Sequence, residues 1–311
     1  MTRTDLQLGI VGTSPGNGHP YSFASIVNGF DAEGFTNSEW AGILEYLKER
    51  DPADFGFCGV EVTHAWTQDP SETKRLCTAG QIDHAVRDLE NLVDADLDGV
   101  LILRDDYEAH RELARPFLDA GTPVFLDKPL TMDADDLAAF KPSLRDGQLM
   151  SCSGMRFARS LDEPRSTLDT YGDLQVVRGT VLFDWPRYGV HVLEAILSMI
   201  DAQPVAVDSG PAEHASMTIE TDAGFPIQID ALGDAPPVFD VDIYGTQKAT
   251  RHQLSDNFHA FRRTLHHFIQ SIRTGEPGVP ADETIRVIQT LIAGRRARES
   301  GTRVEVSAIS G

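Results

Sequence analysis

Thr122-Pro-Val-Phe-Leu-Asp-Lys-Pro-Leu-Thr131 is the stretch that decides how the rest of the chain folds. Its apolar centre, Val124-Phe125-Leu126, is too short and too hydrophobic for anything but a core strand. Pro129 disfavours helical geometry at Lys128, so the strand delivers one ammonium group to a fixed point at its end. Residues 109–121 before it read as a helix closed by Gly121. Helix, glycine, buried strand, Asp-Lys-Pro is an order that fits strands alternating with helices in a parallel sheet. A Lys-Pro pair is most often a surface loop. Here lysine is scarce, five against 22 arginines, and a lysine kept at a strand end supplies a compact cation whose pKa responds to its surroundings.

Working upstream, residues 6–11 form a short apolar strand that ends in Gly12-Thr13-Ser14-Pro15-Gly16-Asn17-Gly18-His19-Pro20, and a helix over 21–28 follows, closed by Gly29. Strand, glycine loop and helix form the arrangement that receives a pyrophosphate, because glycines let the backbone approach and amide groups at the helix start face the anion. Gly12, Thr13, Ser14, Gly16, Asn17 and Gly18 are therefore candidate cofactor ligands. The spacing departs from Gly-x-Gly-x-x-Gly, with Pro15 inside the loop and Pro20 removing an amide donor, so a glycine-rich turn without a ligand is the alternative. Residues 31–50 look inserted, with an extra helix over 38–50 capped by Ser38 and presenting Trp40, Ile43, Leu44 and Leu47 on one face. A strand over 57–66 leads to Thr67, where dinucleotide-binding folds carry the acid that holds the adenosine ribose; a neutral residue there leaves both NAD and NADP open. Asp69 nearby reads as a turn aspartate. Helices over 71–79 and 85–93 precede a strand over 99–103 that ends in Arg104-Asp105-Asp106. Arg104 either binds a cofactor phosphate or pairs with a neighbouring aspartate.

Downstream, a helix over 134–140 and a strand over 149–157, ending at Arg156-Phe157, are followed by a change of pattern. Strands over 174–183, 204–207, 217–220, 226–231 and 238–244 dominate, several with period-two alternation, and helices over 258–271 and 282–299 close the chain. These read as a second domain built on a mostly antiparallel sheet. Within it a helix over 190–200 opens at Gly189-Val190-His191, and Glu194 follows His191 at spacing three on nearly the same face.

Asp127-Lys128-Pro129, Arg156-Phe157, Gly189-Val190-His191 with Glu194, residues 268–277 and Arg298-Glu-Ser-Gly301 occur in one order along the chain. In that order the sequence resembles the glucose-fructose oxidoreductase and inositol dehydrogenase family, the Gfo/Idh/MocA type of NAD(P)-dependent oxidoreductases. The resemblance implies an α/β protein: an N-terminal Rossmann dinucleotide-binding domain over 1–131, a C-terminal α+β domain with a large mostly antiparallel sheet over 132–311, and a cofactor cleft between them. It further implies NAD or NADP as cofactor, with Asp127 and Lys128 beside it, and hydride transfer between the nicotinamide and a carbinol of a sugar, cyclitol or sugar derivative. In that reading Lys128 stabilises the developing alkoxide, neutral His191 takes the hydroxyl proton, and Arg156, Arg187, Tyr188 and Glu194 are the residues that meet substrate. Where the family places an aspartate four residues before the histidine, this chain has Arg187, whose charge would favour the neutral imidazole. A catalytically altered member that binds a sugar or nucleotide as a sensor is the alternative function.

Composition limits the partners. With 48 acidic and 27 basic residues the formal charge is −21, which repels nucleic acid and anionic membranes. Aspartate outnumbers glutamate 31 to 17, as in proteins adapted to high salt or in an ordinary acidic protein. Cys58, Cys77 and Cys152 are odd in number and unclustered, so neither a disulfide framework nor a metal site is expected. Met1-Thr-Arg-Thr-Asp5 leads into a strand without an apolar leader, and no run is long enough to span a bilayer, which together suggest a cytoplasmic protein. A mostly antiparallel sheet with helices on one face leaves the other face for a partner. Family members use that face to form dimers or tetramers, so a homo-oligomer is expected.

Overall fold

Six strands that precede or immediately follow Lys128 lie in one parallel sheet. They are β1 (Leu6–Val11), β2 (Val60–Trp66), β3 (His84–Ala85), β4 (Gly99–Ile102), β5 (Val124–Leu126) and β6 (Leu149–Met150), in the spatial order β3-β2-β1-β4-β5-β6. The structure is a computed structural model, and it describes residues 5–36 and 38–310; the lead-in residues 1–4 lie outside the described residues. Strand order reverses between β1 and β4, whose pairing sets Gly9 opposite Val100 and Val11 opposite Ile102. That reversal makes the carboxyl ends of these two strands the place where such a sheet receives a ligand. β5 is completely buried, with Val124, Phe125 and Leu126 all at 1% exposure or less. Phe125 meets the rings of Phe23 and Phe268 on one face of the sheet, and the helix His110–Asp119 packs on the same strand.

The chain resolves into two compact units. The first runs up to Asp127 and takes in Ser143–Ser151 and Phe261–Gly278; the second comprises Lys128–Pro142, Cys152–Ala260 and the chain from Val279 onward. The single boundary expected after Thr131 falls four residues beyond the first crossing, and the two returning segments belong by contact to the first unit. The second unit carries a seven-stranded sheet of β7 (Leu174–Val181), β8 (Pro204–Ser209), β9 (Ala215–Thr221), β10 (Ile227–Ala231), β11 (Phe239–Gly245), β12 (Ala249–Gln253) and β13 (Val304–Glu305), ordered β12-β11-β7-β10-β9-β8-β13. Its neighbours pair antiparallel except β7 with β10. Alternation along β9 buries Ala215, Met217, Ile219 and Thr221 and leaves the residues between them half-buried, the period of a strand with one covered face. The helices Val190–Leu197 and Ala281–Ser300 pack on β7 and β8.

Several elements depart from the expected bounds. The strand expected over 149–157 stops at Met150, because Ser153 accepts the backbone N–H of Met155 and turns the chain into a short 3-10 helix, Gly154–Phe157. The strand expected from 57 begins at Val60, since Gly59 takes a positive φ of 65° that an extended run does not allow. In the insert the helix runs over Ala41–Lys48, after a one-turn helix at Ala32–Phe35. Ser38 accepts the N–H of Trp40 ahead of the helix and does not cap it. Beyond Phe140 the helix Ala134–Arg145 continues through Pro142.

Candidate active site

The glycine loop after β1 is tied down by side chains. Ser14 Oγ donates to Asp105 (2.7 Å) and accepts the Asp105 N–H (3.1 Å), while Gln68 exchanges two hydrogen bonds with the Thr13 backbone. Asn17 Nδ2 donates to Asp127 Oδ2 (2.8 Å), and His19 Nδ1 meets the same oxygen at 2.7 Å. Asp127 is 2% exposed, so its carboxylate is desolvated and these two partners offset that cost. The stem of Arg104 fills the place a Cβ on Gly12 would occupy, and its guanidinium pairs with Asp106; of the two roles open to Arg104, pairing is the one it takes. Gly16, with φ +79°, has nothing within 4 Å of the position where a Cβ would stand. An anchored loop whose tip offers bare backbone at the switch point of a parallel sheet fits the pyrophosphate of a dinucleotide. The sequence candidates Gly12, Thr13, Ser14, Gly16, Asn17 and Gly18 lie on this loop, Asp127 is bonded to it through Asn17, and Arg104 packs on Gly12. Thr67 follows β2 with its hydroxyl committed inward: Oγ1 donates to the Asp69 carbonyl (2.8 Å) and the Thr67 N–H goes to Thr73 Oγ1. Asp69 caps the helix Pro70–Ala79 by accepting the Ser71 N–H.

Beyond Asp127 the second unit gathers the other set. Lys128 is 5% exposed and precedes a cis Pro129; its Nζ lies 3.5 Å from the carbonyl oxygen of Arg187 and 5.6 Å from the centre of the Tyr188 ring. Tyr188 in turn stands edge-on to His191 (5.9 Å), which meets Phe239 at 5.6 Å. Lys128 and His191, 63 positions apart in sequence, therefore meet the same tyrosine ring. A single turn, Trp185–Gly189, makes this possible: Asp184 caps it by accepting the Arg187 N–H, and the Trp185 indole N–H donates to the Leu291 carbonyl (2.9 Å). Arg187 turns its guanidinium to Asp184 and is about half exposed. Its backbone carbonyl faces Lys128.

His191 Nδ1 is 2.7 Å from Ser153 Oγ, and the Ser153 N–H donates to Glu194 Oε2 (2.8 Å). Glu194 Oε1 faces the Arg156 guanidinium at 3.6 Å, and Arg156 reaches on to Glu283. Arg156 and Glu194 thus form a buried pair behind His191. Ser153 was not among the sequence candidates; nothing in Cys152-Ser153-Gly154 marks it, since its partners lie 38 and 41 positions away.

Burial pushes the Glu194 carboxyl up to about 7 from its ordinary 4.5, against the opposing pull of Arg156 and the Ser153 amide. Between these values the folded chain holds a proton that the unfolded chain has released. The stability contributed is full below pH 4.5 and falls as pH rises to about 7; a shift of this size corresponds to roughly 3 kcal/mol. Glu194→Gln is expected to abolish that slope, so urea unfolding at about pH 5 and about pH 8 should show the variant gaining on the wild type as pH rises. A constant difference across the window would contradict the assignment.

The fold and the loop are those of a Rossmann-type dinucleotide-binding domain. Residues 7–151 match the profile of the oxidoreductase family with an NAD-binding Rossmann fold, GFO_IDH_MocA. The chain is 25% identical over 268 residues to D-xylose 1-dehydrogenase (NADP(+)) 2 of Haloferax volcanii, covering 69% of this chain and 82% of that protein. Its fold follows scyllo-inositol dehydrogenase of Lactobacillus casei with a TM-score of 0.77 at 15% identity, over 99% of this chain and all of the other. Myo-inositol dehydrogenase of the same organism, solved with NAD(H) and myo-inositol, gives 0.74 at 15% identity over 97% and 96% of the two chains. Among the described residues no helix is long and apolar enough to cross a membrane, and no group of three or more His, Cys, Asp or Glu could hold a metal ion.

Proposed function

We propose that this protein is an NAD(P)-dependent dehydrogenase that oxidises a carbinol of a sugar or cyclitol, with Lys128 and His191 as its catalytic residues. The observation that carries the reading is the placement of a buried ammonium and an imidazole against the same ring, that of Tyr188. When bound, the nicotinamide supplies the hydride acceptor, and the loop Gly12–Gly18 with Asp127 would hold the dinucleotide. The Lys128 ammonium donates a hydrogen bond to the substrate oxygen as negative charge grows there, an interaction strengthened by exclusion of water. His191 takes the hydroxyl proton as the C–H bond breaks, leaving a carbonyl and an imidazolium; in the reverse direction it returns the proton. A pentose is favoured as substrate by the xylose dehydrogenase relative, and a cyclitol is the next choice. The same relative favours NADP, and a neutral Thr67 is compatible with its extra phosphate.

Incubating the purified protein with NADP+ or NAD+ and D-xylose, other aldoses, or inositols, and following reduced nicotinamide by its absorbance, tests this directly. Turnover with one member of the panel is expected; nucleotide binding without any turnover would leave the sensor reading instead. We further propose a cytoplasmic homo-oligomer formed through the second sheet, supported by the exposed apolar side chains Val205 and Leu232 on and beside it. Sedimentation velocity at micromolar protein reads that state, and a monomer throughout would contradict it.

A further inference from the structure

We infer that Ser153 is the positioning residue that sets the tautomer of His191, acting at Nδ1. The inference rests on the reading of His191 as the base. Ser153 is wholly buried, and the helix Val190–Leu197 holds it at two points: its Oγ lies 2.7 Å from His191 Nδ1, and its backbone N–H donates to Glu194 Oε2 one turn further along. A proton passing between substrate and imidazole has to use the other ring nitrogen, Nε2, so a base at neutral pH must carry its hydrogen on Nδ1. Ser153 Oγ already accepts the Met155 N–H at 3.1 Å. A hydroxyl oxygen has two acceptor sites, and the second is open to Nδ1–H. With His191 as the base, Nδ1–H donates to Ser153 Oγ and Nε2 is left basic; a Ser153 hydroxyl donating to Nδ1 instead would leave the hydrogen on Nε2.

A serine differs from a carboxylate in its effect on the charged form. It accepts the Nδ1–H of imidazole and of imidazolium alike, but it places no negative charge against the ring. The charged and titratable groups near His191 are the Lys128 ammonium and the Tyr188 ring from across the site, Glu194 on its own helix with Arg156 behind it, and the Arg187–Asp184 pair of the preceding turn. Ser153 contributes geometry without adding to that set.

The direct test is the nitrogen spectrum of His191 in protein labelled at its histidine rings, assigned by the signal lost in His191→Gln. Wild type and Ser153→Thr should show protonated Nδ1 and bare Nε2 at neutral pH, while Ser153→Ala should move His191 toward Nε2–H. With D-xylose or inositol as substrate, Ser153→Ala should lower kcat about tenfold with KM little changed, and Ser153→Thr should retain most of the rate. Wild-type His191 in the Nε2–H form, or a tautomer unaltered by Ser153→Ala, overturns the inference. Should Ser153→Ala fail to fold for want of its cap, the wild-type and Ser153→Thr spectra decide alone. Protonated Nδ1 in a protein that turns over no carbinol would refute the proposed reaction and leave the role of Ser153 standing.

Discussion

Lys128→Ala and His191→Ala are each expected to lower turnover by roughly a hundredfold or more while nucleotide affinity stays within a few fold. The first removes the cation that meets the developing alkoxide, the second the group that accepts its proton; neither belongs to the glycine loop that would hold the dinucleotide. Lys128→Arg should not restore the rate. Nζ sits 3.5 Å from the Arg187 carbonyl and over Tyr188 in a position 5% exposed, and a planar guanidinium with its longer reach cannot take the place of a compact ammonium there. Steady-state rates alongside nucleotide titrations of each variant check this. Unchanged turnover in His191→Ala would pass the proton to another group, with Tyr188 the first to examine.

Trp185→Ala should be the most damaging change to the fold near the site. Trp185 is 3% exposed, donates its indole N–H to Leu291, and fills the space left open by Gly189 and Gly294, where a Cβ would come within 2.8 Å of the indole. Truncation opens a cavity and leaves the Leu291 carbonyl without this donor, at a cost of about 3–5 kcal/mol. The turn Trp185–Gly189 carries both the carbonyl on Lys128 and the ring that meets Lys128 and His191, so activity should fall even at temperatures where the variant stays folded. Urea unfolding and turnover measured on one preparation separate the two effects. A loss under 1 kcal/mol would mean that the turn is held by other contacts.

Sequence was most informative where burial and period coincide. β1 and β5 were read at their observed bounds because each is an apolar run closed by a residue that cannot continue it, Gly12 in one case and Asp127 before Lys-Pro in the other. β12 was missed: Ala-Thr-Arg-His-Gln at the sheet edge buries none of its side chains, so it has no hydrophobic alternation to read. The strand over 149–157 was overextended for want of one fact, that the Ser153 hydroxyl turns back onto the Met155 amide. Residues 143–151 and 261–278 belong to the first unit through contacts with distant sequence, for which no local signal exists.

In the site, the residues bearing strong chemistry were legible and their partners were not. Lys128, His191 and the glycine loop stood out by type and context, and Asp127 was named although its partner His19 was not. Arg187 was expected to bear on His191 through its charge. Its guanidinium also meets Asp184, three residues earlier, a pairing that turn geometry decides and spacing alone did not show. Arg156 and Glu194, candidates for holding substrate with structural ion pairing as the alternative, face each other at 3.6 Å, and Arg156 also meets Glu283.

The central claim is that Lys128 and His191 act on one transition state, and the rate of a single turnover in the double variant Lys128→Ala/His191→Ala tests it most directly. With both groups serving the same developing alkoxide, the combined loss should be close to that of the worse single variant and well short of the product of the two. Losses that multiply in full would show two groups acting independently and contradict the claim.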